Sequence, residues 1–181
     1  MTIDDLQIVN YCHPNCKPLQ NIMRLPKEQA FTLAYEMAEA NKETTAFYRF
    51  ADFANYYPER LKTDELLYTR FIELGGRPLE KHPLSFVLQG SDFLDRWFDC
   101  GIVTRIPLSR IPEDVISFTY GDSMTILKKQ GEIKMLTKEL LLKAIDAFGT
   151  VEEFLTDVSE RFRYIEVQVW DDECLSERNE R

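Results

Sequence analysis

The chain has 181 residues, carries a net charge of −9 and has a sequence pI of about 4.8. This length suits one domain, and an apolar share of 44% is enough to bury a core. Because no cluster of lysine and arginine accompanies the acidity, we expect neither nucleic acid nor a membrane as a partner. The N-terminus carries acids where a signal peptide needs bases, and no apolar run approaches the roughly 20 residues that span a bilayer. We therefore predict a cytoplasmic protein.

The N-terminal part of the chain is predicted to be mainly helical after one initial strand. Apolar residues recur there at helical spacing, and prolines or glycines mark the ends of the periodic stretches. In chain order we predict a strand within Ile3–Tyr11, a helix over Pro26–Glu39, a helix over Thr44–Tyr57 that Pro58 ends, and a helix over Thr63–Leu74 before Gly75-Gly76.

After Gly76, short strand-like segments alternate with helices. In chain order we predict strands over Leu84–Leu88, Ile102–Leu108, Val115–Tyr120, Met124–Leu127 and Arg163–Trp170, with helices from Asp92, over Lys138–Phe148 and over Val151–Arg161. This order predicts an α+β fold, in which a helical N-terminal part precedes a mixed or antiparallel sheet with packed helices. We expect a single domain over residues 1–170 and a flexible tail over residues 171–181.

Cys12, His13 and Cys16 lie within five residues and invite a metal interpretation. A structural zinc site needs four sulfur or nitrogen ligands, and no second Cys or His pair follows. We therefore predict a structural turn, free thiols, no metal and no other cofactor; a zinc site and a cysteine nucleophile are the alternatives.

The chain is organised around a strand–turn–helix corner over His82–Gly101. The turn Gln89-Gly90-Ser91 joins a buried strand to a helix N-terminus, an arrangement that favours anions. Because Asp92 places a negative charge there, helix capping by Ser91 or Asp92 is the simpler explanation, and a ligand site is the alternative. From this corner we select Gly90 as a ligand-binding candidate and Ser91 as a catalytic candidate.

A dense run of aromatic and arginine residues lies between Phe47 and Arg60. Its phenylalanines recur at helical spacing and are predicted to face the core, with the tyrosines and arginines extending towards solvent. Tyrosine and arginine together also stack on rings and bind anions. We select Arg49, Tyr57 and Arg60 as ligand-binding candidates, and a homodimer interface is the alternative use of this surface.

Two acidic residues of the second half are further candidates. Asp122 lies in the sequence FTYGDS, which a hairpin turn explains; a position in a ligand-binding cleft is the alternative. The last strand alternates and places four residues on one face, namely Tyr164, Glu166, Gln168 and Trp170. We expect this face to be exposed to solvent, and a cleft wall that carries Glu166 is the alternative.

Several stretches together resemble a family of small soluble bacterial proteins with no assigned activity: NIMRLP, RFADFANYYPERLKT, GGRP, HPLSFVLQGS and ISFTYGDSM. This resemblance covers most of the chain and implies no function. A second resemblance is to the ADP-ribosyltransferase-like fold, which carries a His or Arg on an early strand, a Ser or Tyr after a central strand, and a Glu on a late strand. In chain order His13, Ser91 and Glu166 match these positions. The resemblance implies that His13 contacts a nicotinamide ribose, that the small turn at Ser91 shapes the pocket, and that Glu166 stabilises an oxocarbenium ion.

No phosphate-binding loop, dinucleotide fingerprint, nucleophile elbow or zinc-protease motif is present, so three hypotheses stay open. The first is a protein that binds a small ligand or a protein partner without catalysis. The second is a transferase-type enzyme with His13, Ser91 and Glu166 as catalytic residues. The third is an interaction protein that forms a homodimer through the aromatic run.

Overall fold

The computed structural model describes residues 1–175, and its central element is one six-stranded antiparallel sheet. The strands are β1 (Gln7–Cys12), β2 (Leu84–Leu88), β3 (Ile102–Pro107), β4 (Ile116–Tyr120), β5 (Met135–Thr137) and β6 (Ile165–Val169). They lie in the order β3-β1-β2-β6-β4-β5. The helices are α1 (Lys27–Ala40), α2 (Tyr48–Ala51), α3 (Phe53–Glu73), α4 (Asp92–Trp97), α5 (Ser123–Gln130), α6 (Lys138–Phe148) and α7 (Val151–Phe162). The predicted α+β single-domain fold is confirmed.

The two faces of this sheet differ in chemistry because side chains alternate along each strand. On β6, Ile165, Val167 and Val169 point to one face, the apolar face, which α6 and α7 cover. Glu166 and Gln168 point to the opposite face, the polar face, which α3 covers. The helices therefore form a layer on each side of the sheet, and the faces they cover carry different kinds of core.

The apolar face carries the main hydrophobic core. Strands and helices contribute buried aliphatic and aromatic side chains to it, for example Phe86, Phe118, Leu141 and Phe154. Burying one side chain of this size stabilises the fold by about 1.5–3 kcal/mol relative to leaving it exposed. Both covering helices begin as predicted, because Thr137 Oγ1 accepts from the backbone of Leu140 and Thr150 Oγ1 from that of Glu153.

The polar face contains a buried chain of hydrogen bonds. Trp170 Nε1 donates to Ser117 Oγ at 2.9 Å, and Ser117 Oγ donates to Gln168 Oε1 at 2.9 Å. Gln168 Nε2 then donates to Thr119 Oγ1 at 3.0 Å. None of these four side chains is more than 1% exposed, so the expectation of a solvent face is wrong. Alternation predicts which residues share a face, but only packing of α3 decides that this face is covered.

Pro58 does not end a helix, in contrast to the prediction. It lies in the second turn of α3, and the helix continues through it to Glu73. Proline lacks the N–H that would bond to the carbonyl of Ala54, but both residues are exposed, so water can hydrogen-bond that carbonyl. The aromatic run is divided between α2 and the first turns of α3, and the break between these helices lies at Asp52.

The sequence FTYGDS forms a strand-to-helix turn and not the predicted hairpin. The residues after it form α5, so the strand predicted over Met124–Leu127 is also wrong. Asp122 is the N-cap of α5, because its Oδ1 accepts from the backbone N–H of Thr125 at 2.7 Å. A Gly-Asp-Ser sequence suits both kinds of turn, and the few apolar residues that follow do not separate a helical period from an alternating one.

The predicted tail begins after Trp170. Residues 171–175 are described: Arg24 Nη1 pairs with Asp172 Oδ2 at 2.5 Å, and Leu175 packs at the margin of the main core. Residues 176–181 lie outside the described residues. Across residues 1–175, no helix is both long and apolar enough to cross a membrane.

Candidate functional site

A group of charged side chains lies between α3 and the polar face of the sheet. Arg60 and Asp64, one helical turn apart on α3, form an ion pair and are 7% and 0% exposed. Burial disfavours the charge of Arg60, but Asp64 and then the Tyr56 phenol more than offset this, so the pKa of Arg60 lies above its ordinary value. Glu166 acts in the same direction. We call Arg60, Asp64, His82 and Glu166 the buried charge cluster.

His82 provides a second partner for Asp64 from the loop before β2. Its Nδ1 donates to Asp64 Oδ2 at 2.7 Å, because an ionised carboxylate can only accept. Asp64 therefore has a nitrogen partner at each carboxylate oxygen. This contact orients the imidazole and assigns the proton of the neutral ring to Nδ1.

Glu166 lies near the centre of the polar face, opposite Thr119 of β4, and is 6% exposed. Its Oε2 accepts from the backbone N–H of Ser123 at 2.6 Å. The Ser123 hydroxyl lies beside the carboxylate without a hydrogen bond of normal geometry. Burial raises the pKa of Glu166, Asp122 raises it further, and Arg60 and Ser123 oppose these effects. A buried carboxyl that holds its proton more tightly than usual is suited to general acid chemistry.

Arg49 and Asp122 lie at the partly exposed edge of the buried charge cluster, which we call its mouth: their side chains are 33% and 27% exposed, and Asp122 acts on Glu166. Arg49 Nη1 is 3.7 Å from Asp122 Oδ2, which is too long for a hydrogen bond. Arg49 Nε donates to the Tyr48 hydroxyl at 3.0 Å, and Arg49 Cζ lies 5.7 Å from the ring centroids of Tyr48 and Tyr56. Within residues 1–175, neither Nη1 nor Nη2 of Arg49 makes a hydrogen bond. The guanidinium is thus oriented by two rings and keeps its terminal donors available.

Tyr164 precedes β6 and is half-buried among these charges. Burial raises the pKa of its phenol, and Asp122 and Glu166 act in the same direction. Arg49 and Arg163 oppose them because cations favour the phenolate. One phenol is therefore surrounded by charged groups from α2, the turn before α5, and β6.

Four of the sequence-predicted candidates meet in this region: Arg49, Arg60, Asp122 and Glu166. Tyr57 does not join them. Its ring packs 5.3 Å from Phe31 and 5.6 Å from Phe53, between centroids, in the small core of α1 and α3. The structure places the four together, and their ligand-binding or catalytic roles stay predictions.

His13 is enclosed by its own surroundings. It is 5% exposed, its Nδ1 accepts from the backbone N–H of Asn15 at 3.1 Å, and its Nε2 lies 3.1 Å from Asp99 Oδ2. The imidazole also packs edge-on against Phe47, with 4.8 Å between ring centroids. Both ring nitrogens therefore have protein partners, and none of these partners is Ser91 or Glu166.

The corner at Gly90 and Ser91 is built as a folding element. Ser91 Oγ accepts from the backbone N–H of Leu94 at 3.4 Å and caps α4, and its own N–H donates to Tyr11 Oη at 2.8 Å. Gly90 has a φ of 102°, and a Cβ atom there would approach Tyr11 Oη to 3.0 Å. The positive φ favours glycine at this position, and a Cβ atom would in addition crowd the Tyr11 hydroxyl.

The two cysteines of the loop from Cys12 to Cys16 are thiols with raised pKa values. All four cysteines are free. Burial raises the pKa of Cys12, and burial together with Cys12 raises the pKa of Cys16 to about 11. A raised pKa lowers the share of the thiolate, which is the form that attacks and that binds metal. In the described part of the chain, no group of three or more His, Cys, Asp and Glu side chains is arranged to hold a metal ion.

Sequence reasoning missed Asp64 and His82. A signal for Asp64 exists, because Arg60 and Asp64 continue the buried stripe of α3 that Leu67 and Phe71 complete. Charged residues on an apolar stripe indicate a buried pair, but a helix broken at Pro58 conceals that register. For His82 no local pattern exists, since its contact with Asp64 depends on how the loop before β2 meets α3.

An open groove of about 680 Å³ lies elsewhere, between α6 and the segment that joins β3 to β4. Lys138 lines it, but its Nζ donates to the carbonyls of Leu108 and Ile111 at 2.9 and 2.8 Å. Lys143 in the same groove pairs with Glu139 at 2.5 Å. Because Lys138 and Lys143 already have partners within the protein, we favour the mouth of the buried charge cluster as the candidate site.

Comparison with known proteins adds no further constraint. No family model matches the chain, and neither a curated protein nor a solved structure matches it. The functional assignment therefore depends on the geometry of the site.

Proposed function

We propose that this protein binds a small anionic ligand at Arg49, at the mouth of the buried charge cluster. The observation that carries the proposal is the environment of the Arg49 guanidinium. Tyr48 and Tyr56 hold it in place, yet Asp122 stays 3.7 Å from Nη1. Charge-assisted hydrogen bonds are normally about 2.7–2.9 Å long, so a ligand oxyanion can make contacts that Asp122 does not make.

The charges around Arg49 support an anionic ligand. The charge of Arg60 is balanced by Asp64, and burial favours the neutral form of Glu166. The remaining charged groups are Arg49 and Asp122, and Asp122 Oδ1 already accepts a hydrogen bond from the backbone of α5. An anion can therefore approach the terminal nitrogens of Arg49 without meeting an excess of negative charge.

Calorimetric titration with inorganic phosphate and ribose 5-phosphate tests the proposal. Arg49→Gln is expected to weaken binding by about tenfold or more, because a charge-assisted hydrogen bond contributes about 1.5–3 kcal/mol. Thermal unfolding gives a second readout, since a ligand at about 100 times its Kd stabilises the folded state by about 2.7 kcal/mol. The matched control is Arg70→Gln, an exposed arginine paired with Glu73 on the same helical layer.

Asp122→Asn sharpens this test. The asparagine oxygen can still cap α5, but the negative charge near Arg49 is removed. We expect tighter binding of phosphate compounds, by about threefold to tenfold at low ionic strength. Equal binding by the wild-type and Arg49→Gln proteins, or an equal loss in Arg70→Gln, would contradict the proposal.

A second candidate function is group transfer with Glu166 as the acid, in line with the transferase hypothesis. Two neighbouring carboxyl groups in unlike environments favour it: Glu166 is buried with a raised pKa, and Asp122 is partly exposed beside Arg49. Such a pair places a proton donor beside a second carboxyl group in a different environment. In this reaction the glycosidic bond of a nucleoside breaks, the proton of Glu166 passes to the leaving base, and water takes the ribosyl group. The test is incubation with adenosine and chromatographic detection of released adenine. Release that Glu166→Gln abolishes supports this function, and no release, or release that the variant retains, contradicts it.

A further inference from the structure

Arg163 has a backbone conformation that an arginine rarely adopts. It is the C-cap of α7, with a φ of 71° and a ψ of −39°. Side chains are strained in this region, and the corresponding caps of α5 and α6 are Gly131 and Gly149. The chain therefore keeps an arginine where a glycine would fold more easily, and such an outlier is a reason to look for a role of the side chain.

The Arg163 side chain is one end of a continuous band of rings. Its guanidinium lies 4.7 Å from the ring centroid of Phe93. Phe93 packs on Trp97 at 5.7 Å, and Trp97 meets Tyr48 edge-on at 5.5 Å, between centroids. Tyr48 accepts the hydrogen bond from Arg49, which is the other end. We call these five residues the arginine–aromatic band.

The two ends of the band lie close to the same phenol. Tyr164 follows Arg163 directly, and its carbonyl accepts from the backbone N–H of Gly121 at 2.9 Å. The next residue, Asp122, lies 3.7 Å from Arg49. Both guanidinium groups also act on the Tyr164 phenol. Tyr48 is 54% exposed, and Arg163 is exposed as well. The band therefore presents aromatic rings to solvent between two cations that flank Tyr164.

We propose that Arg163 is the second ligand-binding arginine of this site, and that the ligand is a phosphate monoester with a planar ring, as in a nucleoside monophosphate. The inference rests on the proposed function, which supplies Arg49 as the first arginine. Two guanidinium groups suit the double charge and several oxygens of a phosphate monoester better than the single charge of a carboxylate. The exposed ring of Tyr48 and its neighbour Trp97 provide a surface on which a planar base can stack.

Calorimetric titration of the full chain with AMP, ribose 5-phosphate and adenosine separates the contributions of phosphate and ring. We expect AMP to bind most tightly. Ribose 5-phosphate is expected to bind about tenfold more weakly or worse, because it lacks the stacking ring. Adenosine is expected to bind more weakly than AMP because it lacks the charges that Arg49 and Arg163 attract.

The variant Arg163→Gly separates binding from folding. Removal of the strained side chain is expected to raise the midpoint of thermal unfolding by about 2–4 °C. The affinity for AMP is expected to fall by about tenfold or more. Arg163→Lys keeps the charge and the strain, so we expect an unchanged midpoint and an affinity between those of the other two proteins. Arg70→Gln is the control and is expected to bind AMP as the wild type does.

The outcomes distinguish this inference from the proposed function. If AMP binds in an Arg49-dependent way and Arg163→Gly retains the full affinity, the role of Arg163 is wrong and the proposed function stands. Equal affinities for AMP and ribose 5-phosphate overturn the planar ring as part of the ligand. If neither compound binds at millimolar concentration, both proposals are wrong.

Discussion

The two faces of the sheet achieve the same degree of burial with opposite chemistry. Phe118 and Val167 face α6 and α7, and they need only a complementary apolar surface. Thr119 and Gln168 are their neighbours on the same two strands and are equally buried. A hydrogen bond between them satisfies polar groups that burial removes from water. A face of the first kind depends on shape, whereas a face of the second kind depends on partners in fixed positions.

This difference bears on function. A buried apolar side chain stabilises the fold in proportion to the area it removes from water. A buried hydrogen bond adds only about 0.5–1.5 kcal/mol, yet loss of one partner costs about 1–3 kcal/mol. Apolar replacements of a buried ion pair are often as stable as the pair itself. Stability alone therefore does not explain Arg60, Asp64 and Glu166, and the polar face is the side of the sheet on which we place the site.

The largest effect is expected from breaking the ion pair on α3. Arg60→Ala leaves Asp64 buried with His82 as its remaining partner, and we expect a loss of about 3–5 kcal/mol in the free energy of unfolding. Urea denaturation followed by circular dichroism measures it. The control is the double variant Arg60→Met with Asp64→Leu, which removes both charges and is expected to be far less destabilised. A double variant as unstable as Arg60→Ala would show that the pair itself, and not an orphaned charge, sets the stability.

An exchange of isosteric residues between the faces is expected to have an intermediate effect. Thr119→Val removes the acceptor of Gln168 Nε2, and Val167→Thr introduces a hydroxyl among apolar side chains. Each change is expected to destabilise the protein by about 1–3 kcal/mol, because each leaves a buried polar group without a partner. Midpoints of urea denaturation measure both. If Thr119→Val is neutral while Val167→Thr is costly, the hydrogen-bond chain of the polar face does not contribute as described.

The smallest effect is expected at Glu166. The folded protein holds the proton of Glu166 more tightly than the unfolded chain does, since the pKa is raised above the ordinary 4.5. Its contribution to stability is therefore complete below the unfolded pKa and is lost as the pH rises through the folded pKa. Glu166→Gln keeps an acceptor for the Ser123 N–H and cannot ionise, so we expect a gain of about 1 kcal/mol near neutral pH.

Unfolding curves recorded at several pH values check this expectation. The gain of Glu166→Gln over the wild type should shrink towards acidic pH and vanish below the unfolded pKa. Asp157→Asn is a suitable control, because Asp157 lies on α7 on the other side of the sheet and pairs with the exposed Arg161. A gain that is independent of pH would show that Glu166 ionises normally.

Local patterns predicted much of the fold because they depend on neighbouring residues. Alternation along the last strand correctly assigned Glu166 and Gln168 to one face, and β2 lies where its apolar run predicts. The caps at Thr137 and Thr150 were also predictable, since a hydroxyl reaches a backbone N–H three residues on. Errors occurred where one local pattern permits two structures, as at Pro58 and at Asp122.

The candidate site was predicted only in part. Arg49, Arg60, Asp122 and Glu166 were selected singly, from residue type and local context. Their meeting depends on α3 lying across the polar face, which no spacing in the sequence specifies. The same packing step brings His82 to Asp64 over 18 residues of separation, so this partner was not foreseen.

The sequence by itself therefore determined the elements, their apolar and polar stripes and the turns that end them, because these follow from contacts within a few residues. The tertiary structure alone decided which stripe each helix covers. That choice turned the expected solvent face into a buried polar layer. It also gave Glu166 its raised pKa, because desolvation and the approach of Asp122 arise only when the helices pack on the sheet.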